Sequence, residues 1–142
     1  MGKFLFVVAA ALFDADGRVL MARRPQGKSL AGLWEFPGGK LDAGERPEEA
    51  LCRELHEELG IIVAPSDLQP WTFASHPYDE FHLFMPLYAC RVWQGTPHPR
   101  EGQEIGWFTA AEAAALPMPP ADIPLVQFWA AAACPAGGKL VS

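Results

Sequence analysis

The sequence predicts a single α+β (α/β) domain in which a mixed β-sheet is covered by helices. Three observations predict it. The 142 residues match one ordinary domain and are too few for two with a linker. Half of them are hydrophobic and only 20% charged, which lets burial offset the entropy of ordering and excludes a disordered or low-complexity chain. Strand-like and helix-like segments also intermix without regular βαβ alternation. The domain is read as spanning residues 1–142.

The elements follow in order. The apolar run Phe4–Phe13, the turn Asp14-Ala15-Asp16-Gly17 and the run Arg18–Arg23 read as strand, Asp-Gly turn, strand, which predicts a hairpin. Lys3 followed by that apolar run resembles the basic and hydrophobic parts of a signal peptide, but cleavage would remove half of the hairpin. No apolar stretch reaches the eighteen or so residues that span a bilayer, so a soluble, cytoplasmic protein is expected. Pro25–Leu33 reads as a loop, and Trp34-Glu35-Phe36 as a short strand halted by Pro37-Gly38-Gly39. A helix is predicted over Pro47–Leu59, since Pro suits the first turn and Gly60 the stop.

Strand candidates then run over Ile61–Val63, Leu68–Phe73 and Phe81–Trp93, with Pro86 marking an edge or a bulge in the last. Gly95–Gly102 is a Pro-rich loop and Ile105–Phe108 a further strand. Thr109-Ala110-Ala111-Glu112 matches a capping box and opens a short helix ending near Leu116. A last helix is predicted from Ile123 to Cys134.

Seventeen acidic and eleven basic residues give a formal charge of -6. That balance speaks against a grip on duplex nucleic acid, which needs a clustered basic face; free nucleotides remain compatible. Three cysteines without a CxxC unit exclude a disulfide scaffold or a cysteine-rich zinc site. The acids are unevenly placed, with Asp42, Glu45, Glu48, Glu49, Glu54, Glu57 and Glu58 all between Gly39 and Ile61.

Helical geometry gives that cluster a meaning. At 100° per residue, Leu51, Leu55 and Leu59 form one apolar stripe, and Glu54, Glu57 and Glu58 share an arc of roughly 100° beside it. Arg53 can brace Glu49 and Glu57, each four residues away, but such pairs contribute only about 0.2 to 0.5 kcal/mol. Two carboxylates about 5 Å apart repel by roughly 3 kcal/mol at an effective dielectric of 20. A hard divalent cation reverses that balance, because Mg²⁺ takes a few carboxylates together with water and phosphate oxygens. A solvated helix face is the plain alternative for a Glu-rich helix. The context weighs against it: Gly38 and Gly39 allow close backbone approach to a phosphate or metal, and Lys40 adds positive charge. Leu41 stands where a Walker loop has Ser or Thr.

These residues resemble the Nudix hydrolases. The family's box is Gly, five residues, Glu, seven residues, Arg-Glu, a bulky aliphatic, any residue, Glu-Glu, any residue, Gly, a bulky aliphatic. The chain reads Gly39, Glu45, Arg53-Glu54-Leu55, Glu57-Glu58, Gly60-Ile61, without departure. Arg23-Arg24-Pro25, Gly32 through Lys40, Glu101-Gly102-Gln103 and Pro119-Pro120-Ala121-Asp122 resemble the MutT-like branch, which hydrolyses nucleoside triphosphates, notably 8-oxo-dGTP, to a monophosphate and pyrophosphate.

The resemblance implies a Nudix-type α/β/α sandwich with a mixed β-sheet. It also implies metal ligation by Glu54, Glu57, Glu58, Glu101 and the Gly39 carbonyl, with Mg²⁺ the expected cofactor and Mn²⁺ its alternative. Glu54, Glu57, Glu101 and Arg53 form the expected catalytic set; Glu54 or Glu101 would orient or deprotonate the attacking water. Glu45 and Arg53 are read as organisers. Substitution at the β-phosphorus is implied with the branch.

The substrate-binding candidates are Arg24 and Lys40 for the triphosphate, Phe36 and Tyr78 flanking the base, and Asp122 reading it. Solvated charges and an ordinary core Phe are the competing readings. Asp122 falls where the branch carries Asn. An ionised Asp accepts hydrogen bonds only, so it could not donate to O6 unless protonated; it could also cap the final helix. Phe81 falls near where the branch places a basic residue, a further departure that bears on the triphosphate or sugar contact.

The histidines lack metal-ligand spacing, and Asp14–Gly17 lacks the ligands of a calcium loop. The expected function is hydrolysis of 8-oxo-dGTP by a monomer or weak dimer. The alternatives are the same chemistry on cytidine triphosphates or ADP-ribose, or a noncatalytic nucleotide-sensing module, for which three such carboxylates have no use.

Overall fold

The computed structural model describes residues 2–133. Strand β1 (Lys3–Leu12) runs through the middle of the fold, followed by β2 (Val19–Arg23), β3 (Trp34–Glu35), β4 (Gly38–Lys40) and helix α1 (Pro47–Leu59). Then come β5 (Gln69–Pro77), β6 (Phe81–Cys90), β7 (Glu104–Phe108), α2 (Ala110–Ala114) and α3 (Ile123–Ala133). A mixed four-stranded sheet has the order β4-β1-β6-β5, with β1 parallel to β6 and antiparallel to β4. An antiparallel sheet, β3-β2-β7, lies beside it.

Strand β1 explains the layering. Its side chains alternate between faces: Val8, Ala10 and Leu12 pack with Leu51, Leu55 and Leu59 of α1, while Ala9 and Ala11 pack with Leu125, Val126 and Trp129 of α3. A strand covered on both faces needs an unbroken apolar run, which is why β1 first reads like a leader segment. The result is a mixed sheet between helices, as the sequence predicts. No helix among the described residues is long and apolar enough to cross a membrane.

The helices match their sequence signals. Helix α1 has the predicted bounds, with the Gly60 N–H closing its end on the His56 carbonyl at 3.0 Å. Thr109 and Glu112 form the predicted capping box at α2, at 3.2 and 2.8 Å. Helix α3 is described to Ala133; its predicted end, Cys134, lies outside the described residues.

The strands differ more. The turn after β1 forms, but β1 and β2 do not make a hairpin: a single Phe13–Val19 bridge joins them and they enter different sheets. Pro37 and β4 take the β1 edge that β2 would have used; the Ala10 N–H donates to the Pro37 carbonyl at 2.9 Å. Gly38 and Gly39, read with Pro37 as a strand stop, therefore lie in a strand themselves. Ile61–Val63 is only one bridge, Ile62 to Gln94, and β5 runs on to Pro77. Strand β6 ends at Cys90, short of Trp93. Pro86 sits in an interior strand, neither at an edge nor at a bulge on its own strand. The β1–β6 pairing lapses between Phe6–Phe84 and Ala9–Leu87, where a missing proline N–H does least harm.

Candidate active site

The site is assembled from β4, α1 and three loops. Gly39 lies so close to α1 that a Cβ there would fall into the Glu54 carboxylate. Only a bare backbone lets β4 and α1 meet at this point, which places the Gly39 peptide against Glu54. Arg53, one residue earlier, clamps the other side. Its Nε and Nη2 donate to the two oxygens of Glu45 at 2.8 and 2.9 Å, a bidentate charge-assisted pair. Its Nη1 reaches Glu54 at 3.3 Å and Glu57 at 3.4 Å, and Nη2 also donates to the Lys40 carbonyl at 3.1 Å. Glu49, expected as another partner of Arg53, instead accepts from the Arg46 N–H at the helix start at 2.9 Å. Glu45 also accepts from the Asp42 N–H at 2.8 Å. The Arg53 hydrogen bond, followed by that backbone donor, holds the Glu45 carboxyl down to about 2.

Glu58 lies one turn beyond Glu54. Burial pushes its carboxyl well above the carboxylate range, reinforced by contact with Glu54 and by the charges of Glu54, Glu101 and Glu35. Glu58 and Glu101 line a polar groove of about 500 Å³ with Arg24, Lys28, Glu35 and Gly38. Glu57 lines neither this groove nor the neighbouring cavity; it is exposed beside Arg53. The donors are all oxygens, the set a hard divalent cation takes. Uncompensated charge around Glu58, together with the bare Gly39 backbone against Glu54, fits such an ion. No three His, Cys, Asp or Glu side chains among the described residues converge into a ready-made cage.

Next to the groove is an apolar cavity of about 370 Å³, walled by Phe36, Tyr78, Phe81, Leu83 and Met85, with Asp122 at its side and Lys40 on its lining. The Tyr78 and Phe81 ring centroids are 5.2 Å apart, so the aromatic Phe81 makes this wall apolar. Phe36 is both core and wall. Asp122 is 4% exposed, and its Oδ2 accepts from the Phe36 N–H at 3.1 Å. That bond engages the carboxylate with the backbone of Phe36, and the residue lines the cavity. Burial pushes it up to about 8, with the Glu35 charge adding to the effect against the Phe36 N–H and Arg24. A carboxyl with that value carries a proton at neutral pH and can both donate and accept.

Arg24, Glu35 and Gly38 line both spaces. Arg24 Nε lies 2.9 Å from Glu35 Oε2, but its buried N–H is not directed at an acceptor. Burial raises the Glu35 carboxyl despite Arg24. Glu35 and Lys28 are not among the site residues the sequence suggests; the run Gly32 through Lys40 carries the signal for Glu35.

The NUDIX domain family matches residues 8–127. The chain belongs to the Nudix family. It is a MutT-like Nudix hydrolase, a family that uses divalent metal ions. A CTP pyrophosphohydrolase of Escherichia coli K12 is 41% identical over 126 residues, covering 87% of this chain and 90% of that protein. An 8-oxo-dGTP diphosphatase of Haemophilus influenzae is 37% identical over 125 residues, covering 88% and 90%. A solved MutT structure, from a study of Aliivibrio salmonicida and Vibrio cholerae, aligns with a TM-score of 0.74 at 37% identity, over 88% of this chain and 95% of that one.

Within this Nudix site, the depressed Glu45 carboxyl ties stability to acid pH. A carboxyl at about 2 in the folded chain against 4.5 ordinarily contributes stability that is complete above 4.5 and lost as pH falls toward 2. Glu45→Gln is therefore expected to be less stable than wild type at neutral pH, with the gap closing over that window. Urea titrations across the acid range check it; a gap independent of pH refutes the Glu45–Arg53 assignment.

Proposed function

We propose that the chain hydrolyses a nucleoside triphosphate to the monophosphate and pyrophosphate, with 8-oxo-dGTP as preferred substrate. One observation carries the reading: a base-sized apolar cavity and a carboxylate groove share the wall of Arg24, Glu35 and Gly38. A nucleotide whose base fills the first lays its phosphates along the second. In this reading Glu54, Glu57, Glu58, Glu101 and the Gly39 carbonyl hold Mg²⁺, which Mn²⁺ can replace. The bound ion would neutralise the triphosphate and make water more acidic. Glu54 or Glu101 orients the attacking water, and Arg53 keeps Glu54 and Glu57 in place. Arg24 and Lys40 meet the triphosphate, and Phe36 and Tyr78 flank the base.

A protonated Asp122 supports the choice of base. A carboxylic acid offers a donor beside an acceptor, matching O6 and N7–H of 8-oxoguanine; ordinary guanine presents two acceptors there. A bicyclic base also buries more apolar surface against these walls than a pyrimidine. The 41% identity to a CTP pyrophosphohydrolase favours a second reading, since N3 and the amino group of cytosine also pair with a carboxylic acid. We place the enzyme in the cytoplasm as a monomer or weak dimer, acting on free nucleotides and keeping oxidised guanine out of DNA.

Steady-state hydrolysis of ordinary and oxidised nucleoside triphosphates with Mg²⁺ tests the proposal. The highest kcat/KM is expected for 8-oxo-dGTP, with ¹⁸O from water appearing in pyrophosphate. Higher kcat/KM for CTP moves the assignment to the cytidine reading, and orthophosphate as first product rejects both.

Metal binding is read separately by thermal unfolding. Mg²⁺ at 100 times its Kd stabilises the fold by about 2.7 kcal/mol, raising Tm, whereas NaCl at equal ionic strength does not. Glu57→Gln is expected to weaken that rise and cut turnover severely while the far-UV spectrum stays native. Wild-type activity in the variant removes Glu57 from the metal set.

Asp122 gives the test of base readout. Asp122→Asn keeps an acceptor for Phe36 and a donor for the base, so it is expected to retain the 8-oxo-dGTP to dGTP ratio. Because folding raises the wild-type carboxyl from 3.8 to about 8, its stabilising contribution is complete below 3.8 and lost as pH rises toward 8. The Asn variant should therefore gain stability relative to wild type across that window. Asp122→Ala should lose the substrate ratio, and an unchanged ratio there places base readout elsewhere.

A further inference from the structure

Glu101 stands on an exposed loop, and its carboxylate has no hydrogen-bond or ion-pair partner among the described residues. Something else must keep it beside Glu58. The loop is stitched to the C-terminal end of α1 by the His98 N–H to the Leu59 carbonyl at 3.0 Å and the Arg100 N–H to the Glu58 carbonyl at 3.1 Å. Arg100 Nη1 adds a bond to the His56 carbonyl at 3.1 Å. The Glu58 and Leu59 carbonyls at the helix end are thus satisfied before Glu101 is reached. Gly102, with φ at 76°, then turns the chain back in a conformation that favours glycine. That turn brings the Gln103 side chain under Glu101.

The Gln103 amide makes two bonds that differ in kind from the others. Its Oε1 accepts from the Glu101 N–H at 2.8 Å, and its Nε2 donates to the Glu58 carbonyl at 2.9 Å. One partner is an N–H and the other a carbonyl, so the orientation of the amide is fixed by its neighbours. The planar group joins the backbones of two residues far apart in sequence, both of which line the same groove. The Glu58 carbonyl already has the Arg100 N–H, so removing Gln103 does not orphan it. What is lost is the link to Glu101.

We propose that Gln103 is a positioning residue for Glu101, tying the Glu101 N–H to the end of α1 and so fixing how Glu101 leaves the loop beside Glu58. This rests on the role given to Glu101 above. Outer partners that orient a ligating or basic carboxylate typically change affinity or activity about 10- to 100-fold when removed. A residue that merely sealed the helix end would change stability and leave the kinetics of the folded enzyme alone.

Gln103→Leu, similar in size but without either bond, is the test variant in the full chain. In the metal-free protein, amide exchange at Glu101 is expected to accelerate at least about tenfold, while Leu55 in the body of α1 is unchanged. With Mg²⁺ and the best nucleotide, kcat should fall about 10- to 100-fold with KM within about twofold. In a Glu101→Gln background the same change should have no further effect on kcat, because the two act as one unit. Gln103→Glu, which keeps the acceptor for the Glu101 N–H but loses the donor to Glu58, should leave Glu101 protected and still lower kcat. Equal kcat losses in both backgrounds, or a lowered Tm with unchanged kinetics, overturn the proposal. Unaccelerated exchange at Glu101 in Gln103→Leu overturns the positioning alone, whereas a fully active Glu101→Gln withdraws the role of Glu101 and the proposal with it.

Discussion

Everything at this site depends on how one helix can carry several carboxylates on adjoining faces without driving them apart. Arg53 answers on one side and the bare backbone of β4 on the other. The guanidinium is committed to Glu45 by two short bonds and only then extends to Glu54 and Glu57 at longer distances. Its charge is therefore divided, and Glu58, facing away from it, is left crowded by acids. An arginine serves here where a lysine could not, because a planar fork can hold Glu45 bidentately and still reach the next turn. The unevenness is useful: carboxylates fully neutralised by protein would have nothing left for a cation or the substrate it carries.

What could be read from the sequence was what local rules decide. The Pro47–Leu59 helix and the Thr109 box depend on spacing within a few residues, and they are found where the spacing puts them. Strand partnership is decided by distant chain. Asp14–Gly17 makes its turn, yet β1 pairs with β4 and β6, and no window around the turn contains that information. Pro86 looked like an edge marker because a local rule cannot see a ladder that lapses for a few residues.

The same division runs through the site. Glu54 and Glu58 are candidates from helical spacing, Glu101 and Asp122 from the family resemblance alone. That Asp122 is held by the Phe36 N–H, and that burial raises its carboxyl, follows from packing across 86 positions. Chemistry inferred for an ionised side chain thus changes once the cavity around it is known. Glu35 and Lys28 had no pattern of their own, and Gln103 was visible only as a neighbour of Glu101. Residues that support others leave weak traces in a single sequence because many side chains could do the same at a different geometry.

The parting of β1 and β2 into separate sheets has a mechanical side. β4 belongs to one sheet and Arg24 and Glu35 flank the other, so the wall shared by cavity and groove is a seam with only the Phe13–Val19 bridge joining the two strands directly. A molecule that touches both banks of this seam becomes a strut across it. In the proposed reading, any splay between the sheets would shift a base on one bank against phosphates on the other, so the alignment of the scissile bond would depend on the stiffness of the whole sandwich.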